Sequence, residues 1–309
     1  MFNIHLGKWI TAGFGIVSLY FAFFHKRGHK KSVTRHGSIP GERCYDMYNP
    51  PSSDSCDEDF EPGPTCGVGT PYKIESTPRG LVYVFNYINF APNEKLKVRR
   101  GAELDSQNIR ETFSKMGYEV TIYEDLNQSV TEERLDEIAT NPRLQQVDAL
   151  ILFFLSHGKD SNIFHTRDCI PKTTDSYSEC EGIDIRTIRK KFNNASCPYM
   201  KNKPKILFTS YCRGGKVEKY EIDGNDFVRI YVPKDLVTIN ATTEGVAARR
   251  EIHGGTTFIK TLCQVLEIHA SDELRDIYMR LNDKVMQEKG PTACWEDSRF
   301  RKFYFIPRA

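Results

Sequence analysis

The chain has nine cysteines and not one Cys-x-x-Cys pair among them. An odd count without paired spacing suits free thiols in a reducing compartment better than a disulfide framework. His165 and Cys169 come nearest to a metal-ligand pair, and no second pair at ligand spacing accompanies them, so neither a metal nor any other cofactor is expected. Excess charge of one sign is also missing. The 309 residues carry 43 Lys and Arg against 41 Asp and Glu, a net charge of +2, which gives a nucleic acid no electrostatic footing. No nucleic-acid-binding motif is present either, so that class of partner is excluded.

Long apolar runs are lacking, with one exception. Trp9 to Phe24 (WITAGFGIVSLYFAFF) runs sixteen residues without a charge. As a helix it would span about 24 Å at 1.5 Å per residue, slightly short of the ~30 Å hydrocarbon core. The exit at Phe21-Ala22-Phe23-Phe24-His25 lacks the small residues of a signal-peptide cleavage site. Lys26, Arg27, Lys30, Lys31 and Arg35 follow it, and a basic flank of this kind stays on the cytosolic side. The expectation is an N-terminal membrane anchor with the rest of the chain in the cytosol; the alternative is an apolar helix packed on the folded part. Gly37 to Pro78 is rich in Ser, Pro, Gly, Asp and Glu, shows no period, and reads as a flexible tether.

The rest is ordinary globular material, 39% hydrophobic and 27% charged overall. Leu81–Phe90, Tyr118–Tyr123 and Ala149–Leu155 read as strands. Glu103–Met116, ending at Gly117, reads as a helix, as do Thr131–Thr140 and a segment marked by Ile185, Ile188 and Phe192. After a polar interval at 216–226, Phe227–Thr242 holds two β-rich runs. Helices are expected over Thr256–Leu266 and Glu273–Val285, and Phe303–Ile306 is expected to close the chain as a strand. Alternating strands and helices imply an α/β fold, with a mainly parallel sheet and helices on both faces.

Lys203 to Gly215 (KPKILFTSYCRGG) is the stretch around which the rest is organised. Ile206, Leu207 and Phe208 predict a buried central strand that presents Cys212 at its carboxyl end, where open α/β sheets build their sites. The Ala149–Leu155 strand ends the same way on Ser156-His157-Gly158, 55 positions before Cys212. Two parallel strands would thus deliver a thiol and an imidazole to one rim. The free thiol, with a pKa near 8.5, is about a few per cent ionised at neutral pH; a neighbouring imidazole can activate it and later protonate a leaving amine.

Arg99 and Gly101, Asn108-Ile109-Arg110-Glu111-Thr112-Phe113, Asp125-Leu126, Leu155-Ser156-His157-Gly158, Lys203-Pro204-Lys205 and Cys212-Arg213-Gly214 follow one another in an order and spacing that resembles the caspase family. Gly245, Arg250, Gly255, Phe258-Ile259 and Leu262-Cys263 continue the resemblance, which covers the chain from Arg79 to its end. It implies a caspase-like three-layer fold: a large-subunit half at 79–215, a linker at 216–226 and a small-subunit half at 227–309, preceded by an anchor with its basic flank (1–31) and a linker or prodomain (32–78).

The resemblance also implies that Cys212 is the nucleophile, that His157 is the general base and acid, and that Gly158 shares an oxyanion hole with the amide of Cys212. Caspases grip an aspartate carboxylate with two arginines and a glutamine. Arg99 and Arg250 stand at the arginine positions, whereas the glutamine position holds Ser210 and the residue before the cysteine is Tyr211 rather than alanine. Ala248-Arg249 stands where the family has Ser-Trp, which makes that subsite polar. Asp223, in Glu221-Ile222-Asp223 before Gly224, is a candidate processing site in a zymogen, and a plain Asp-Gly turn is its rival.

The expected function is therefore a cysteine endopeptidase that cuts protein or peptide substrates after acidic residues, Asp foremost, in cell death or a related pathway, as a homodimer joined through the small-subunit half. The alternative is a weak or inactive homologue that regulates active caspases by binding them.

Overall fold

In a computed structural model of the chain, residues 69–90, 96–158, 162–169, 182–214, 233–248, 250–251 and 254–306 are described. The apolar run at 9–24, residues 37–68 of the expected tether, Arg249 and Asp223 lie outside them. The last part of that tether, 69–78, is described and is no free linker, since Tyr72 and Ile74 are buried in the core and the Tyr72 hydroxyl donates to Asp235 (2.8 Å). Among the described residues no helix is long and apolar enough to cross a membrane.

Five strands run parallel: β1 (Gly80–Asn86), β2 (Glu119–Glu124), β3 (Ala149–Leu155), β6 (Lys205–Ser210) and β7 (Leu236–Asn240). A sixth, β10 (Cys294–Asp297), is antiparallel to β7 and closes one edge, giving the order β10-β7-β6-β3-β1-β2. The central strands β1 and β3 are buried along their whole length, as their unbroken apolar sequences require of strands covered on both faces. Two short hairpin-like pairs lie outside the sheet: β4 (Ile163–Phe164) with β5 (Ile183–Asp184), and β8 (Arg250–Glu251) with β9 (Gly255–Thr256).

Alternate side chains of each strand feed two cores. On one face Val82, Val84, Ile151, Phe153, Ile206 and Phe208 pack against α1 (Ala102–Lys115), α4 (Thr257–His269) and α5 (Leu274–Gln287). On the other, Leu81, Tyr83, Phe85, Leu152 and Leu207 pack against α2 (Gln128–Ala139) and α3 (Ile185–Lys191). The α/β architecture with a mainly parallel sheet and helices on both faces is thus as the alternation predicts.

Two expectations are corrected. Phe303–Ile306 forms no strand, because its backbone is engaged by helix ends and a side chain instead. Leu274 N–H donates to Phe303 O (2.9 Å), Ile306 N–H to Ala270 O (3.1 Å) and the Tyr118 hydroxyl to Phe305 O (3.0 Å), while Phe303 and Phe305 fill the α1 side of the core. The β-prone residues that suggested a strand serve a core-filling strap instead. The thiols are not all free either: Cys169 is disulfide-bonded, while Cys197, Cys212, Cys263 and Cys294 are free.

Candidate active site

Register decides the geometry at the sheet's carboxyl rim. β3 and β6 pair with Leu150 opposite Lys205 and Leu155 opposite Ser210, an offset of 55 positions. The ladder runs one bond further, Ser156 N–H donating to Ser210 O at 3.2 Å. His157 and Cys212 stand at the same offset, 55 positions apart, two residues past the last pair of the ladder, and the carbonyl of Cys212 lies against Gly158. The spacing noticed in the sequence is therefore the pairing register itself.

Contact at this corner is close. A Cβ on Gly158 would sit 2.0 Å from the carbonyl oxygen of Cys212 and 2.8 Å from the Tyr211 ring, so no residue with a side chain fits without moving the backbone. Gly158 bridges to Phe164 of β4, and His165 N–H donates to His157 O at 2.9 Å, which folds the segment after β3 back over its own end.

His157 is half-buried against the Phe90 ring, centroids 5.1 Å apart, and its Nε2 lies 2.7 Å from Lys97 O. A carbonyl can only accept, so Nε2 carries the proton. Cys212 is partly exposed. Burial pushes the other three free thiols up, Cys263 to about 12, which makes them poor nucleophiles.

Arg99 is 2% exposed. Its Nη1 donates to Asn86 Oδ1 (3.0 Å), Tyr87 O (2.8 Å) and Leu155 O (3.1 Å), at the ends of β1 and β3. Leu155 is the partner of Ser210, so Arg99 and Ser210 meet at the same level of the sheet. Ser210 is buried, and its Oγ has no hydrogen-bond partner among the described residues.

Arg250 begins β8, opposite Thr256 of β9. β9 is tied to α1 by Asp105, which accepts from Thr256 N–H (2.8 Å) and from the Thr256 hydroxyl. Gly255, at φ +75°, lies against that carboxylate and against Gly101 O. The backbone stretch holding Arg250 is thereby fastened two residues beyond Arg99. Ala248 lines a slight surface depression with Ala241, Thr256, Thr257, Phe258, Val285 and Pro291.

Sequence reasoning missed the supports. Asn86 donates to Ala102 O (2.8 Å) and Ser106 Oγ (2.9 Å) while accepting from Arg99, so it joins β1, α1 and the arginine. An asparagine closing the apolar run Leu-Val-Tyr-Val-Phe was the available signal. Asp105 was visible only as a landmark of the family resemblance, without its partner Thr256, and the Lys97 carbonyl carried no signal. Among the described residues no cluster of His, Cys, Asp and Glu is arranged to hold a metal.

Residues 79–304 match the family described as Caspase domain. Chicken caspase-2 is 26% identical over 306 aligned residues, covering 84% of this chain and 69% of its own length. Bovine caspase-3 is 29% identical over 224 residues, covering 70% and 76%. The crystal structure of caspase-1 from Spodoptera frugiperda superposes with a TM-score of 0.64 at 20% identity, covering 77% of this chain and 94% of that one, a likeness of fold. A strand-end cysteine and histidine in register, on a sheet of this order, within a chain whose larger part matches that domain, lead to one conclusion: the chain belongs to the caspase family.

Proposed function

We propose that the protein is a cysteine endopeptidase that hydrolyses peptide bonds after acidic residues. The observation that supports this reading is the register of β3 and β6, whose offset of 55 positions is also the spacing between His157 and Cys212. Cys212 attacks the scissile carbonyl; His157 takes the thiol proton and returns it to the leaving amine, and water then cleaves the thioester by the reverse route. The Lys97 carbonyl orients the imidazole through Nε2. The amides of Gly158 and Cys212 stabilise the tetrahedral oxyanion.

Arg99 and Arg250 receive the acidic side chain, with Ser210 at the pocket floor and Ala248 and Arg249 along the neighbouring subsites. A serine reaches less far than a glutamine, and losing one hydrogen bond to a charged ligand costs about 1.5–3 kcal/mol, so affinity for Asp is reduced rather than abolished. The large-subunit half (79–215) and small-subunit half (227–309) are separated by a linker that is cut after Asp223. Homodimers form through the open side of β10, and residues 9–24 anchor the chain to a membrane. Cell-death signalling is the setting the family suggests.

A second reading, a regulatory homologue with little turnover, draws on the unpartnered Ser210 Oγ and on the Tyr211 hydroxyl, which is likewise buried without a partner. The deciding experiment uses the full chain in mild detergent and its Cys212→Ala variant, on fluorogenic peptides varied at the residue before the scissile bond. Hydrolysis after Asp, abolished in the variant, supports the peptidase. A folded dimer that turns over no peptide would transfer the assignment to the regulator.

A further inference from the structure

Two of the largest side chains in the interior are arginines, Arg189 and Arg213, each 2% exposed. They come from opposite sides of the rim. Arg189 lies on α3, whose first turn follows β5 directly; β5 pairs with β4, Phe164 of β4 bridges to Gly158, and Ile185 N–H donates to Asn162 O at 2.8 Å. This helix is therefore joined to the arm that continues from His157. Arg213 follows Cys212, and its backbone is held on both sides: its N–H donates to Val246 O (3.1 Å) and its carbonyl accepts from Gly245 N–H (2.9 Å).

Both guanidinium groups close on one carboxylate, Glu296 of the edge strand β10. Arg213 Nη2 stands 3.0 Å from Glu296 Oε1, and Arg189 Nη2 pairs with Oε2. Asn240 Nδ2 donates to Oε1 at 2.9 Å, and Arg189 Nε donates to Thr238 Oγ1 at 3.0 Å. Arg213 also reaches Glu244, at 3.4 Å, but that side chain is 65% exposed and screened by water. A buried triad of this kind is a poor source of stability, because two cations and an anion must be desolvated to make it. What it does supply is a fixed distance between three elements.

We propose that Glu296 is a positioning residue for the dyad: its carboxylate ties the His157–Gly158 arm, through Arg189, and the segment after Cys212, through Arg213, to the edge of the sheet. The proposal rests on the peptidase reading above, and part of its test does not need turnover. Loss of the carboxylate frees both arms, so thiol and imidazole lose alignment while the substrate pocket at Arg99 is untouched. Turnover falls and KM does not.

The test compares the full chain with Glu296→Gln, Arg189→Gln, the double variant, and Tyr72→Phe. The last removes a buried hydrogen bond to Asp235 (2.8 Å) on the amino-end side of the sheet and controls for lost stability. Glu296→Gln is expected to lower kcat about ten-fold with KM within two-fold, and Arg189→Gln to lower kcat about three-fold. The double variant should be no worse than Glu296→Gln, the non-additivity expected of one network. Tyr72→Phe should keep kcat. Alkylation of Cys212 by iodoacetamide at fixed pH, followed by mass spectrometry, should slow in the same order.

Unchanged kcat and unchanged alkylation in folded Glu296→Gln would overturn the proposal, as would additive effects or an equal loss of kcat in Tyr72→Phe. If Glu296→Gln does not fold, Glu296→Asp, which keeps the charge but withdraws it by one methylene, carries the same comparison with about a three-fold loss expected and no loss overturning the proposal. If the unmodified chain hydrolyses no peptide, the peptidase reading fails by itself, and the alkylation rates still decide the role of Glu296.

Discussion

At the scale of single residues, Gly158 is the most constrained position at the rim. Its absent side chain is what lets one strand end lie against the carbonyl of Cys212. Gly158→Ala must push that carbonyl or the Tyr211 ring aside, and a shift of about 1 Å at a reacting centre costs roughly 100-fold in rate. The expected outcome is a loss of that order in kcat/KM, with a far-ultraviolet circular dichroism spectrum like that of the parent, since only the rim is displaced. Tyr211 shows the cost of this arrangement from the other side. Its ring packs on Phe164 at 5.8 Å, its hydroxyl finds no partner, and burial raises its pKa far above that of an ordinary phenol. Arg189, Arg213 and Glu296 set the electrostatics around it.

At the scale of elements, the α1–β9 tie carries a separate expectation. Asp105→Ala leaves Thr256 N–H buried without an acceptor, a loss of about 1–3 kcal/mol. It also unfastens β9 and so the Arg250 strand paired to it. KM for acidic peptides should rise several-fold more than kcat falls, measurable in one set of initial rates; equal falls in kcat and kcat/KM would place Asp105 elsewhere in the mechanism. Elements were legible in the sequence where one local signal dominated. Ala149–Leu155 was readable to the residue because seven apolar side chains leave a strand no exposed face. Phe303–Ile306 was misread because β-prone residue types alone do not say where the backbone hydrogen bonds go, and here they go to helix ends. Within the site, Cys212 and His157 were visible as chemistry at strand ends. Asn86 and Glu296 were not, and Asp105 showed only as a landmark of the resemblance, since a buried polar side chain acquires its meaning from partners far away in the chain.

For the molecule as a whole, Lys205 sets a pH dependence. It is fully buried at the start of β6, where its ammonium donates to Asn194 Oδ1 (3.1 Å), Met200 O (3.0 Å) and Lys203 O (3.1 Å), and burial pushes its pKa down to about 8. Above that pH the native protein releases a proton that the unfolded chain keeps until about 10.4, so raising the pH favours the folded state. Cys263 works in the opposite sense once unfolded thiols ionise, near 8.5–9, because its native thiol holds its proton to about 12. Urea unfolding should therefore show stability rising from pH 7.5 to about 8.5 by up to roughly 1 kcal/mol and then levelling, with the rise absent in Lys205→Met. The two halves share both cores, β6 of the first pairing with β7 of the second. The alignment of β3 with β6 reaches further still. Side chains alternate faces along a strand, so a slip of one residue in that pairing would turn Cys212 away from His157 and bury its thiol on the opposite side. On the peptidase reading, hydrolysis is then an all-or-none gauge of how β6 was threaded during folding: a misthreaded molecule as compact as a correct one is silent.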